Sequence, residues 1–126
     1  MFKFYRTFLF ALNGVTLLIK TERNFRIAAV CGLIAIGLGN ALNYLGQPLF
    51  RLEWAFIYLG IGLVLVSEAL NSAIEKTLDR LHPEQHPMVG IAKDMAAGAT
   101  LIASTVSLIL GLFVFLPHLM ALMNEF

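Results

Sequence analysis

Apolar residues are concentrated in three long runs along the chain. The runs cover residues 27–45, 54–74 and 95–116. A bilayer core about 30 Å thick is crossed by about 20 helical residues, which is close to the length of each run. Because backbone groups in lipid must pair within the chain, each run is predicted to form a membrane-spanning helix. The pattern therefore predicts an all-α membrane protein with three spans.

The two connections between these runs differ in length. The Gly-Gln-Pro sequence at 46–48 is a turn signal between the first and second spans. The second and third spans are joined by the polar segment 76–94, which contains Pro83 and Pro87. We therefore expect a tight turn at the first connection and a longer polar loop at the second.

Residues 2–20 form a separate, amphipathic segment. With about 100° between successive residues, the polar positions fall within one arc of roughly 140° on a helix. These positions are Lys3, Arg6, Asn13, Thr16 and Lys20. The pattern indicates an interfacial helix lying on the membrane surface. The alternative is a hydrophobic leader without a fixed orientation, although no small-residue cleavage site follows it.

The length of 126 residues allows a single domain over residues 1–126. The composition supports a membrane location. Hydrophobic residues make up 59% of the chain, charged residues only 13%, and the mean hydropathy is +0.80. Soluble domains are nearer half apolar and a quarter charged, so a water-soluble enzyme is disfavoured. The net charge of +1 also lacks the basic excess that a nucleic-acid partner requires.

The distribution of cations predicts the orientation in the membrane. Eight of the nine Lys and Arg residues lie before the first span or around the second connection. Only Arg51 flanks the first connection, and no Lys or Arg follows the third span. Under the positive-inside rule, the N-terminus and the 76–94 loop are expected to be cytoplasmic and the C-terminus outside.

The second span carries polar residues at helical spacing. Glu68, Asn71, Glu75 and Asp79 are separated by three, four and four positions, which places them in one stripe on one face of a helix. Glu68 follows a run of apolar and small residues, so it is predicted to lie well within the membrane. Burying a carboxylate there costs several kcal/mol. The stripe is therefore expected to face protein, water or metal instead of lipid.

Two explanations of this stripe remain open from the residues alone. Its members can join neighbouring helices through hydrogen bonds or an ion pair. Alternatively, carboxylates about 5–6 Å apart repel one another unless a cation lies between them. Mg²⁺ suits such a site, since it typically takes one or two carboxylates and leaves its other positions to water and phosphates. Three acids and an amide on one stripe favour the second explanation.

Further polar residues lie at the same predicted side of the membrane. Lys93 and Asp94 precede the third span, Glu84 and His86 lie in the preceding loop, and Glu22 lies in the turn before the first span. A lysine beside carboxylates either pairs with them or holds a phosphate. A lone lysine at this position is also typical of a cation at the membrane edge.

Small residues recur every four positions in the third span, on two adjoining tracks. One track is Ala92, Ala96, Thr100 and Ser104, and the other is Ala99, Ala103, Ser107 and Gly111. Small residues at this spacing let helices approach closely in lipid. We expect this helix to pack tightly against a neighbour, and we assign it no catalytic role on this ground.

These motifs resemble those of a known family. The run Glu68 to Glu75 reads EALNSAIE and is followed by Asp79-Arg80 and by Ala92-Lys93-Asp94-Met95. This combination resembles the signature of the small prokaryotic diacylglycerol kinases, a family that includes the undecaprenol kinases. The similarity runs over residues 8–117, and the sequence ERNFR at 22–26 resembles the family's acidic turn.

The resemblance implies a membrane lipid kinase of the bacterial inner membrane. Members are homotrimers with three transmembrane helices and an amphipathic surface helix per chain, and their active sites form between neighbouring chains. They transfer the γ-phosphoryl group of MgATP to the primary hydroxyl of a lipid alcohol. Diacylglycerol gives phosphatidic acid, for phospholipid biosynthesis, and undecaprenol gives undecaprenyl phosphate. The implied cofactor is Mg²⁺, with ATP as co-substrate.

The resemblance also implies roles for individual residues. Glu68 would be the general base near the lipid hydroxyl, and Glu22 and Glu75 would bind Mg²⁺ together with the nucleotide phosphates. The implied ATP-binding residues are Glu22, Asn71, Glu75, Asp79, Glu84, His86, Lys93 and Asp94. The Ala-Ala-Gly sequence at 96–98 lacks the serine of the diacylglycerol kinase branch and is more similar to the undecaprenol kinases.

A protein class with different chemistry also uses an intramembrane glutamate. Small multidrug transporters exchange a proton on such a residue for a cationic substrate, and they are short, helical and oligomeric. They normally need four spans, and they have no evident use for Lys93 and Asp94 beside a carboxylate stripe. The lipid kinase is therefore the leading hypothesis, with the proton-coupled transporter as the alternative.

Overall fold

The computed structural model describes residues 1–84 and 86–125, and this part of the chain forms four α-helices. They are α1 (Phe2–Thr21), α2 (Arg23–Tyr44), α3 (Arg51–Leu81) and α4 (Pro87–Met123). The predicted all-α fold is confirmed. All four helices are long and apolar enough to cross a membrane, including α1, which was expected to lie on the surface. Gln85, in the predicted polar connection, and Phe126 lie outside the described residues.

Helices α3 and α4 extend well beyond the predicted spans. They contain 31 and 37 residues, or about 46 and 55 Å at 1.5 Å per residue, compared with a bilayer core of about 30 Å. The prediction of a polar loop over 76–94 is therefore wrong for most of its length. Polar residues such as Glu, Lys and Arg are good helix formers, so polarity alone did not end α3. Within the predicted loop, α3 continues to Leu81, the break that follows contains Pro83, and Pro87 starts α4 at a favoured position.

The other two breaks are short and have clear local causes. The predicted turn at 46–48 is confirmed, and Gly46 has a φ of 87°, which glycine adopts without a steric penalty. A single extended residue, Glu22, separates α1 from α2. The Arg26 guanidinium donates to the backbone carbonyls of Ile19 and Lys20, at 3.0 and 2.9 Å. These bonds satisfy carbonyls at the end of α1 and fix the direction of the break.

Helix packing depends on close approaches at small residues. Helix α3 packs mainly against α4 and also against α2. A Cβ placed on Gly60 would lie 2.9 Å from Ser107 Oγ, and one placed on Gly32 would lie 2.8 Å from Ile61. Ala103, on the same track as Ser107, is buried. The expectation that small residues of the third span allow close packing is confirmed for this track.

A side-chain hydrogen bond joins the start of α3 to the end of α4. His118 Nε2 lies 3.0 Å from both carboxylate oxygens of Glu53. Glu53 also accepts a hydrogen bond of 2.7 Å from the backbone N–H of Phe50, which closes the first turn of α3. Both ionisable side chains are largely shielded from solvent, with 12% and 22% of their surfaces exposed. This contact fixes the register between the two antiparallel helices.

Gly39 offers a test of the α2–α3 contact. A Cβ at this position would lie 2.7 Å from Cη2 of Trp54, so Gly39→Ala is expected to destabilise the fold by about 1–3 kcal/mol through overpacking. Gly37→Ala is the matched control, because a Cβ there meets no atom within 4 Å. Thermal unfolding in detergent should show a lower midpoint for the first variant alone. Equal midpoints would contradict the close contact.

Candidate active site

The four residues of the polar stripe lie on one uninterrupted stretch of α3. The helix continues without a break through Asp79, so Glu68, Asn71, Glu75 and Asp79 share a face, as their spacing predicts. Glu68 and Asn71 are half-buried, whereas Glu75 and Asp79 are exposed. The stripe therefore runs from the protein interior to the exposed end of the helix.

Glu68 lies in a cleft between α2, α3 and α4. The cleft has a volume of about 440 Å³, within the range of small-molecule sites. Asn24 and Cys31 line it from α2, and Ser104 and Ser107 line it from α4. Most of the remaining lining is aliphatic, and Glu68 supplies its single carboxylate. Such a cleft can accommodate a hydrocarbon chain and place one polar end group at Glu68.

Glu22 is held by groups from its own turn and from α3. Its Oε1 lies 2.9 Å from Lys76 Nζ and accepts a hydrogen bond of 2.9 Å from the Thr21 hydroxyl. The Lys76 ammonium, and after it the Thr21 hydroxyl, keep the pKa of Glu22 below its ordinary value. Glu22 is therefore a negatively charged oxygen donor at neutral pH. Glu22 thus contacts α3 at Lys76, the residue that follows Glu75.

A second ion pair joins the end of α3 to the start of α4. Lys93 Nζ donates to Asp79 Oδ1. The Lys93 side chain is two-thirds shielded, with 33% of its surface exposed. Of the two uses that the sequence left open for Lys93, pairing with the stripe is therefore observed. The pair leaves the ammonium at a defined position beside the connection between the helices.

This connection borders a second, more polar cleft. It has a volume of about 600 Å³ and lies between the end of α3 and the start of α4. Four of the residues predicted to bind ATP line it, namely Asp79, Glu84, His86 and Lys93. His86 Nδ1 accepts a hydrogen bond of 3.2 Å from the backbone N–H of Met88. His86 thus caps the start of α4 and lines the cleft at the same time.

The other predicted ATP-binding residues are distributed around these clefts. Asp94 is exposed and lines neither of them. Glu22 borders a separate apolar groove of about 440 Å³ between α1 and α3. Asn71 has a buried side-chain oxygen without a hydrogen-bond partner. Within one chain, the predicted site residues therefore form neighbouring groups instead of one closed pocket.

Three residues of this region were not singled out by the sequence. From the sequence, Lys76 contributes only to the predicted orientation in the membrane, because its partner Glu22 is distant in sequence and precedes another helix. Asn24 and Cys31 line the Glu68 cleft from α2; Cys31 stands in no motif, and Asn24 belongs to ERNFR without an assigned role of its own. The spacing of Asn24, Ala28, Cys31 and Ala35 on one helical face was the available signal.

The oxygen donors fit a magnesium ion that is shared with phosphates. Among residues 1–84 and 86–125, no group of three or more His, Cys, Asp and Glu side chains is arranged to hold a metal ion alone. Mg²⁺ commonly takes one or two carboxylates and fills its octahedron with water and substrate phosphates. Glu22 and Glu75, both close to Lys76, provide carboxylates of that kind.

Comparison with known proteins agrees with the motifs. Residues 9–115 match the family described as "Prokaryotic diacylglycerol kinase". The chain is 38% identical to the undecaprenol kinase of Bacillus subtilis over 93% of this chain and 91% of that protein. It is 36% identical to the diacylglycerol kinase of Synechocystis over 93% of this chain and 65% of that protein. It is 45% identical to the diacylglycerol kinase of Escherichia coli over 70% of this chain and 68% of that protein.

Proposed function

The chain belongs to the prokaryotic diacylglycerol kinase family, and we propose that it phosphorylates undecaprenol in preference to diacylglycerol, using MgATP. It is a membrane lipid kinase. The observation that carries this function is the family match over residues 9–115, which include every proposed site residue. This match also decides against the proton-coupled transporter.

Glu68 is the proposed general base. The oxygen of the lipid hydroxyl attacks the γ-phosphorus, the bond to the β,γ-bridging oxygen breaks, and ADP leaves. The hydroxyl proton passes to the Glu68 carboxylate. The mostly aliphatic cleft around Glu68 supports this role, because it can hold the lipid chain and exclude water from the reacting hydroxyl.

The polar cleft between the end of α3 and the start of α4 is the proposed site of the nucleotide. Phosphoryl transfer depends mainly on positioning and on neutralising charge. Lys93 supplies a cation for the phosphates, and Asp79 positions its ammonium. Glu84 and His86 line the same cleft, and Asn71 and Asp94 complete the proposed ATP-binding residues.

Glu22 and Glu75 are the proposed carboxylates for Mg²⁺. Lys76 and Thr21 hold the Glu22 carboxylate in its charged form, and Glu75 is an exposed carboxylate that directly precedes Lys76 on α3. When bound, Mg²⁺ neutralises negative charge on the phosphates.

We further propose a homotrimer in the bacterial inner membrane, with active sites shared between chains. In this arrangement α2, α3 and α4 span the membrane and α1 lies on its surface. The N-terminus and the α3–α4 connection are cytoplasmic, and the C-terminus is outside. Two observations support this arrangement. Helix α1 contains no buried residue, and Glu75 is exposed in the single chain, which leaves its carboxylate accessible to a neighbour.

The acceptor is tested by comparing two lipids in mixed micelles. We expect kcat/KM for undecaprenol to exceed that for diacylglycerol by about tenfold, which corresponds to about 1.4 kcal/mol of transition-state binding. The similarity to an undecaprenol kinase over 93% of the chain supports this order. Transfer of labelled phosphate from ATP to each lipid gives the measurement. An equal or reversed preference would overturn the acceptor, and no transfer to either lipid would overturn the kinase itself.

A further inference from the structure

Thr100 differs from the other threonines of the chain. In each of the other five, the hydroxyl oxygen lies within hydrogen-bonding distance of the backbone carbonyl four residues earlier, at 2.8 to 3.0 Å; these are Thr7, Thr16, Thr21, Thr77 and Thr105. Helical threonines commonly satisfy their hydroxyl in this way. Thr100 Oγ1 is buried and has no hydrogen-bond partner. Its hydroxyl therefore lacks the bond to its own helix that the other threonines make.

Asn71 carries the matching unpaired atom. Within the part of the chain that the structure describes, Asn71 Oδ1 and Thr100 Oγ1 are the two buried side-chain polar atoms without a partner. Leaving such atoms unpaired is costly. Both atoms are enclosed within a single chain, so a neighbouring subunit cannot reach them. A carbonyl oxygen only accepts and a hydroxyl can donate, so the two atoms are chemically complementary.

The helix register brings these two residues to the same level. Glu53 and His118 are in direct contact across α3 and α4. Asn71 follows Glu53 along α3 by the same number of positions as Thr100 precedes His118 along α4. That separation amounts to about five full helical turns, so each residue lies on the same face as its reference residue. Asp79 and Lys93, which are also in contact, confirm this antiparallel register further along the helices.

We propose that Thr100 is a positioning residue that donates a hydrogen bond to Asn71 Oδ1. A rotation of the Asn71 side chain brings the two atoms together. The inference rests on the proposed function, because its consequence concerns Asn71 as an ATP-binding residue. Thr100 itself touches neither substrate.

The consequence of this bond is the orientation of the Asn71 amide. With its oxygen held toward α4, Asn71 turns its amino group away from α4, along the stripe between Glu68 and Glu75. An amino group donates to anionic oxygens, whereas a carbonyl oxygen repels them. Without the Thr100 hydroxyl, the amide can flip, exchanging the positions of its oxygen and nitrogen, and present the wrong end to the phosphates.

Two substitutions separate the hydroxyl from the shape of the side chain. Thr100→Val keeps the shape and removes the donor, and we expect it to raise the KM for MgATP by about tenfold, as the loss of a supporting hydrogen bond commonly does. Thr100→Ser keeps the donor, so its KM for MgATP should stay within about twofold of the value for the original enzyme, well below the increase expected for Thr100→Val. Thr105→Val is the matched control on the same helix, since its hydroxyl bonds Leu101. It should leave the KM unchanged.

A double-mutant cycle tests the link to Asn71 directly. Once Asn71→Ala is present, adding Thr100→Val should cause no further change in the KM for MgATP. Independent, multiplying effects would overturn the proposal, as would a Thr100→Ser enzyme as impaired as Thr100→Val. Should the valine variant fail to fold, Thr100→Ala removes the same hydroxyl and is compared with serine. A full chain without any lipid kinase activity would overturn both the proposed function and this inference, whereas an active enzyme with an unchanged Thr100→Val variant would overturn the inference alone.

Discussion

Glu68→Gln is expected to lower kcat by at least about 10²-fold, the usual contribution of a general base, while the protein still folds. Glutamine has nearly the same shape as glutamate but accepts no proton at neutral pH, so substrate can bind and the proton has no acceptor. Labelled phosphate transfer to undecaprenol measures kcat, and the KM for MgATP should change little.

The same substitution at a distant carboxylate is the control. Glu125 lies near the C-terminal end of the chain, where its Oε1 accepts a hydrogen bond of 2.7 Å from Gln47. Glu125→Gln should therefore leave kcat unchanged. A Glu68→Gln enzyme that retains most of its kcat would show that this carboxylate is not the base. Unfolding curves for both variants separate loss of catalysis from loss of structure.

The second large effect concerns the metal. Glu75→Gln and Glu22→Gln are each expected to raise the Mg²⁺ concentration for half-maximal activity by at least about tenfold, since each removes a charged oxygen donor. Activity is measured against free Mg²⁺ at a fixed ATP concentration, with undecaprenol as acceptor. Arg51→Ala should leave the Mg²⁺ requirement unchanged, because Arg51 lies at the opposite end of α3.

Lys76 provides the control that distinguishes a metal ligand from a structural anion. Glu22 pairs with Lys76 at 2.9 Å, so Glu22→Gln also breaks an ion pair. If holding Lys76 were the whole role of Glu22, then Lys76→Met would change the Mg²⁺ requirement as much as Glu22→Gln does. We expect Lys76→Met to leave that requirement close to the original value. Equal increases in the two variants would contradict the proposed metal role of Glu22.

Much of the fold follows from patterns that the sequence displays. The three apolar runs lie almost entirely within α2, α3 and α4, and Gly46 forms the predicted turn. The ends of α3 and α4 were not predictable from hydropathy, because hydropathy marks where lipid ends, whereas helix breaks depend on residues such as Pro83. Glu75, Lys76 and Asp79 therefore stand on a helix that continues beyond the predicted span.

The candidate site was predictable only where its residues share one helix. The spacing of Glu68, Asn71, Glu75 and Asp79 places them on one face whatever the rest of the chain does. The partners from other helices depend on tertiary register, which a single sequence does not encode locally. The contact between Lys76 and Glu22 is a relationship of this second kind, and so is the bond that we propose between Thr100 and Asn71.

Because Glu22 alone joins α1 to α2, the orientation of α1 relative to α2 matters for the proposed site. With no spare residues between Thr21 and Arg23, inserting or deleting one there changes the direction of α1 relative to α2. Such a change would carry the Glu22 carboxylate away from Lys76 and turn the polar side of α1 from its present direction. Length variation during evolution should therefore be tolerated before α1 or after α4, but not at this junction.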